Sequence, residues 1–133
     1  MHTLRIGLLA LLTLASALAS QAQTLRIPFM PEWQLLRRVD PEYPAAARQA
    51  RIQGIVRFHA TIGTDGRVER LRLLSGHPLL APAARHAARQ WVYRPTLLRG
   101  QAVRVRTIIE IGFWLDAYGN PRNLAQSPRD SSI

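Results

Sequence analysis

Two stretches of this chain alternate apolar and polar residues with the period of a half-buried strand. From Ile55 to Ile62, Val56, Phe58, Ala60 and Ile62 share one face, while Arg57, His59 and Thr61 share the other. From Gln101 to Leu115, Val103, Val105, Ile109, Ile111, Phe113 and Leu115 face one way, and Arg104, Arg106, Ile108, Glu110 and Trp114 the other. The second stretch predicts the spine of a sheet. Between them, Thr64-Asp65-Gly66 supplies a hairpin turn, because Asp-Gly tolerates the positive φ that tight turns demand. The return strand, Val68 to Ser75, puts Leu71 and Leu73 in one register and Val68 in the other, which predicts a bulge near Glu69.

Helical spacing occupies the gaps. Asp40-Pro41-Glu42-Tyr43-Pro44 reads as a rigid extended segment, since each proline biases its predecessor away from the helical region. A helix is predicted from Pro44 to about Gln53, with Gly54 as its left-handed C-cap. A second is predicted from about Ala81 to Trp91, with Leu80, Ala84, Ala87 and Trp91 on one stripe and Arg85 and Arg89 toward water. Before them, Thr24 to Pro31 carries two prolines and no periodicity and predicts no element of its own, whereas Leu35 to Val39 suits a short strand. Beyond Asp116 the residues turn polar and predict a frayed tail.

The first 22 residues change the compartment. A polar start with Arg5 precedes an apolar run from Ile6 to Leu18, followed by small and polar residues, the pattern of a secretory signal with cleavage favoured after Ala22. The competing reading is an uncleaved inner-membrane anchor, for which the run is shorter than the roughly 20 residues a spanning helix needs. Both place the folded part in the periplasm. With no cysteine anywhere, an exported domain must rely on packing, and thiolate metal sites and cysteine nucleophiles are excluded. A formal charge of +10, carried entirely by arginine, would suggest nucleic acid in a cytosolic protein. Export favours anionic envelope surfaces instead, or simply solvated faces.

Candidate chemistry is sparse. His59 sits on an outward strand face, His77 in a turn and His86 on a helix, without the convergent spacing of a zinc site. Ser75-Gly76-His77 lacks a nucleophile elbow and an orienting acid. No metal, cofactor or catalytic residue is assigned. Tyr43, Trp91 and Tyr93 read as core anchors, but Trp114 falls on the polar face of the last strand and marks a surface covered by a terminal segment or a partner.

Several spaced motifs occur together: Pro-x-Tyr-Pro at Pro41 to Pro44, Arg51-Ile52-x-Gly54, Asp65-Gly66-Arg67-Val68, Leu74-Ser75-Gly76-His77-Pro78, Trp91-x-Tyr93-x-Pro95, Gly100-x-x-Val103 and Ile111-x-Phe113-x-Leu115. From Pro41 to Leu115 the chain thereby resembles the TonB C-terminal domain. The resemblance implies an α+β fold in which a small antiparallel sheet of about three strands is backed by two helices. It also implies an adaptor, not an enzyme, which grips the TonB box of an outer-membrane transporter for siderophores or vitamins by strand addition. Transferred onto this chain, the partner-binding surface is the exposed edge of Gln101 to Leu115, with Arg104, Arg106, Ile108, Glu110 and Trp114, beside Asp40, Pro41 and Tyr43. Inner-membrane motor proteins join the partners if residues 1–22 are an anchor.

Two departures from the family stand out. Residues 24–39 form only a short lead-in where TonB proteins carry a long Pro-rich spacer, and Asp40 replaces an amide residue. The expected organisation is therefore a leader (1–22), an extended lead-in (23–39), the TonB C-terminal-like domain (40–116) and a flexible polar tail (117–133). The alternative function is a structural or regulatory envelope module whose sheet edge serves a homodimer or another envelope protein, without energy transduction.

Overall fold

A computed structural model describes residues 23–122. The expected leader lies outside the described residues, as does the tail beyond residue 122. In chain order the strands are β1 (Thr24–Arg26), β2 (Leu35–Arg37), β3 (Gly54–Ile62), β4 (Val68–Ser75), β5 (Val92–Tyr93), β6 (Thr96–Leu98) and β7 (Gln101–Phe113). The helices are α1 (Ala45–Gln49) and α2 (Ala81–Ala88), and a 3-10 turn spans Glu32–Gln34. None of the described helices is long and apolar enough to cross a membrane.

The sheet is larger than the three strands expected: its order is β1-β7-β3-β4, with β6 also paired to β7. β3 and β7 run antiparallel over nine registered pairs, from Gly54 opposite Phe113 to Ile62 opposite Val105. Their apolar rows, Val56, Phe58, Ala60 and Ile62 with Val105, Ile109, Ile111 and Phe113, are buried and form one core with Leu80, Ala84, Ala87 and Trp91. The predicted helical stripe thus packs on the predicted strand faces. β4 pairs with β3, and its register skips from Arg70 to Val68, which puts the bulge at Glu69 as the parity break required.

Three boundaries depart from expectation. α1 stops at Gln49, and the left-handed residue that ends it is Arg51, with φ of 53°, while Gly54 already opens β3. The Ile52 N–H reaches back to the Ala47 carbonyl at 2.8 Å, a local C-terminal closure around left-handed Arg51 that ends the helix before the glycine is reached. α2 is also shorter than predicted, ending at Ala88. Beyond Asp116 the chain does not fray at once. The Asp116 carboxylate accepts the N–H groups of Tyr118 and Asn120, both at 2.8 Å, and Gly119 takes φ of 81°. The turn brings Pro121 back as a bridge partner of Leu115.

The larger correction concerns the lead-in. Thr24 to Arg26 is a strand, parallel to β7, with Leu25 opposite Val105 and Arg26 opposite Arg106. The Ile27 N–H then donates to the Arg106 carbonyl at 3.0 Å, and the Ile108 N–H to the Pro28 carbonyl at 3.1 Å. The side of β7 that faces away from β3 is therefore occupied from Arg104 to Ile108, so the exposed edge expected along all of Gln101 to Leu115 is closed at Arg104 and Arg106. The physical reason is that a long naked edge is a liability, and a nearby segment with alternating Leu25 and Ile27 covers it.

Candidate functional site: a groove beside the open end of β7

Along β7 the even-numbered residues turn their main-chain groups away from β3, as the bonds at Arg106 and Ile108 show. Beyond Ile108 no strand among the described residues pairs with that side until the Trp114 carbonyl accepts the Arg122 N–H at 2.8 Å. Glu110 and Gly112 lie between these two points, and their outward N–H and C=O groups have no strand partner among the described residues. This is a short length of open sheet edge.

A groove of about 340 Å³ adjoins it, lined by Asp40, Pro41, Tyr43, Gly112, Phe113, Trp114, Pro121 and Arg122. One wall is the extended proline segment, which is tied down at both ends. The Trp91 indole N–H donates to the Val39 carbonyl at 2.9 Å, and the Arg38 guanidinium lies 5.6 Å over the Trp91 ring while reaching Asp40 at 3.5 Å. At the other end the Tyr43 hydroxyl donates to the Ile52 carbonyl, and its ring meets Phe113 edge-on with centroids 5.4 Å apart. Burial pushes the Tyr43 hydroxyl above its ordinary pKa, so it serves as a donor throughout the physiological range.

The opposite wall is the returning turn. The Leu115 N–H donates to the Gln53 side chain at 2.7 Å, and Asp116 is held below the ordinary carboxylate pKa first by the backbone N–H of Asn120. Gly112 forms the floor: a Cβ there would stand 2.6 Å from the Trp114 indole nitrogen, so the absent side chain makes room for the indole.

Of the residues picked from the sequence, Asp40, Pro41, Tyr43 and Trp114 meet at this groove. Glu110 is on the open edge and its carboxylate pairs with Arg57 at 2.6 Å. Ile108 marks the end of the closed length, and Arg104 and Arg106 lie within it. Sequence reasoning missed Gly112, Phe113, Pro121 and Arg122. The signal for the last two was Asp116 with Gly119 and Asn120, a turn that folds the chain back. Elsewhere, the His77 ring accepts the Leu79 N–H at 3.1 Å and shapes the turn before α2. No group of three or more His, Cys, Asp or Glu side chains that could hold a metal ion occurs among the described residues.

Comparison with known proteins gives this architecture a family. Protein TonB of Klebsiella pneumoniae is 33% identical over 82 residues, 60% of this chain and 33% of that protein. Protein TonB of Escherichia coli K12 is 37% identical over 62 residues, 45% of this chain and 26% of that protein. The chain thus aligns with a third or less of each relative's length. The solution NMR structure of the Pseudomonas aeruginosa TonB CTD superposes with a TM-score of 0.51 at 30% identity, covering 62% of this chain and 85% of that one. With residues 39–115 matching the family described as Gram-negative bacterial TonB protein C-terminal, the chain belongs to the TonB C-terminal domain family.

Proposed function

We propose that this chain is a periplasmic adaptor that receives an extended segment of an outer-membrane transporter by strand addition to β7 between Ile108 and Trp114. The observation that carries the reading is the juxtaposition of the outward main-chain groups of Glu110 and Gly112 with the groove lined by Asp40, Pro41, Tyr43 and Trp114. Main-chain pairing would supply affinity, and the groove would take a side chain of the incoming segment. This sets a short register, because β1 already holds the neighbouring positions. The role is binding within envelope transport, as befits the family, and involves no catalysis.

A second reading is an envelope module that uses the same edge for a second copy or another envelope protein, without transmitting force. It is favoured by one observation: the lead-in is folded onto the domain, with β1 on β7 and β2 on β5, and does not extend as a spacer.

The test is titration of transporter N-terminal peptides against the chain, with hydrogen exchange followed along β7. Binding with new protection at Glu110 and Gly112 supports strand addition. Replacing Glu110 by proline should abolish binding, while Glu110→Gln, which retains the N–H, should keep most of it. Binding without protection there, or dimerisation that protects the same amides in the absence of peptide, would favour the second reading.

A further inference from the structure

The face of the sheet opposite the helices carries a cationic surface that strand addition does not use. Registered neighbours project to the same side, so the pairings define its rows. Arg106 of β7 stands beside Arg26 of β1 on one side and Thr61 of β3 on the other, and Thr61 stands beside Arg70 of β4. In the adjoining row Ile108 neighbours His59, and His59 neighbours Arg72. Arg26, Arg70, Arg72 and Arg106 are exposed, and none takes part in an ion pair among the described residues. The two acids that reach this face are already engaged, Glu69 by Arg104 at 3.0 Å and Glu110 by Arg57 at 2.6 Å. Four guanidinium groups without an ion-pair partner among the described residues therefore sit on three strands, β1, β7 and β4, across a four-strand span of about 15 Å at the usual strand spacing.

This arrangement carries a cost. Like charges on directly neighbouring strands repel, and Arg26 beside Arg106 is such a pair. An external anion would remove that cost. Exposed Leu97 of β6, opposite Ala102 in the register, lies on the same side of the sheet. A cationic sheet face whose charges spread across several strands, with an apolar residue at its margin, suits a planar anionic surface better than a narrow acidic peptide.

We infer that the Arg26, Arg70, Arg72 and Arg106 face is a docking surface for a bilayer rich in anionic phospholipid. Docking there leaves the Glu110–Gly112 edge accessible, so the domain can rest on a membrane while its edge takes a partner. The inference stands on the placement of charge and holds whether or not that edge receives a transporter segment.

The test uses vesicles of phosphatidylcholine alone and vesicles with one third phosphatidylglycerol, with the full chain as the protein. Binding to phosphatidylcholine measures what the apolar residues 6–18 contribute, and the increment with phosphatidylglycerol is the readout. The variant R70Q/R72Q/R106Q should lose that increment by on the order of tenfold or more, since each interfacial cation contributes roughly a fivefold factor. The control R48Q/R51Q/R89Q, which removes the same charge from the helix side, should lose less than twofold. Thermal unfolding keeps the comparison fair: the first variant should melt no lower than the unaltered chain, because Arg106→Gln relieves the repulsion from Arg26. Equal losses in both variants would reduce the effect to net charge and overturn the assignment. So would an increment that survives in R70Q/R72Q/R106Q, or tight binding of polyglutamate through these arginines without any phosphatidylglycerol increment.

Discussion

Ile108 donates its N–H to the carbonyl of Pro28 at 3.1 Å, and this is the last bond by which the N-terminal segment holds the outer side of β7. The next outward-facing residue, Glu110, opens the free length of the edge. Ile108 thus divides β7 into a length satisfied within the chain and a length open to another strand. Pro28, which has no N–H of its own, ends the cover at this point.

Breaking the cover should be measurable. Replacing Ile27 by proline removes the N–H that meets Arg106 and should lower stability by about 1 to 3 kcal/mol in urea unfolding. Amide exchange at Ile108 should accelerate, while the amides of β3 and the inward positions of β7 keep their protection. Unchanged exchange at Ile108 would show that β1 does not hold this edge in solution.

The Tyr43 hydroxyl anchors the groove wall through the Ile52 carbonyl, while its ring packs on Phe113. Tyr43→Phe keeps the ring and leaves a carbonyl short of a donor, so a loss of about 1 to 2 kcal/mol is expected with the fold intact. Peptide affinity should fall with it if the wall positions the partner. A variant as stable as the original would mean that Ile52 is satisfied by solvent.

The hairpin turn is less forgiving. Gly66 has φ of 83°, its carbonyl accepts the Tyr93 N–H at 2.8 Å, and a Cβ at this position would collide with the Tyr93 carbonyl oxygen. Gly66→Ala should cost about 3 kcal/mol or more, from the backbone conformation and from the displaced β5 together. Gly100, with φ of 79° and open space around it, is the comparison: there alanine should cost only about 1 to 2 kcal/mol.

Alkaline pH should destabilise the domain through Tyr93. Burial pushes its hydroxyl up to about 12, partly offset by the nearby Arg38 guanidinium, whereas in the unfolded chain it ionises near 10. Below pH 10 both states are protonated and the stability is fully present. Between 10 and 12 the unfolded state loses its proton ahead of the folded one, so stability falls as pH rises, by about 2 kcal/mol at the upper end. Urea titrations from pH 8 to 11.5 should show this decline, and Tyr93→Phe should flatten it.

Much of the fold was legible because the hairpin and the last strand bury one face each. The alternation of Val56 to Ile62 and of Val103 to Leu115, the parity break at Glu69 and the stripe from Leu80 to Trp91 all register burial directly, and burial is what periodicity reports. Half of the groove was legible too, since Pro41 and Tyr43 belong to a motif and Trp114 is apolar on a polar face. Gly112 was not, because nothing in the linear order says that the indole of Trp114 will lie over it.

From the amino-acid order alone followed the α+β class, the core faces of the long strands, the absence of cysteine chemistry and the family resemblance, all consequences of residue type and local spacing. The tertiary structure decided which strand edges remain open. Main-chain hydrogen bonding scarcely depends on side chains, so no pattern in Thr24 to Pro28 shows which strand it will join, nor on which side. Only once β1 lies against Arg104 to Arg106, and the Asp116 turn returns Arg122 to Trp114, is the free length of β7 reduced to Glu110 and Gly112. The same assembly sets Arg26 beside Arg106, two residues 80 positions apart, and so creates a charged surface that the chain order does not contain.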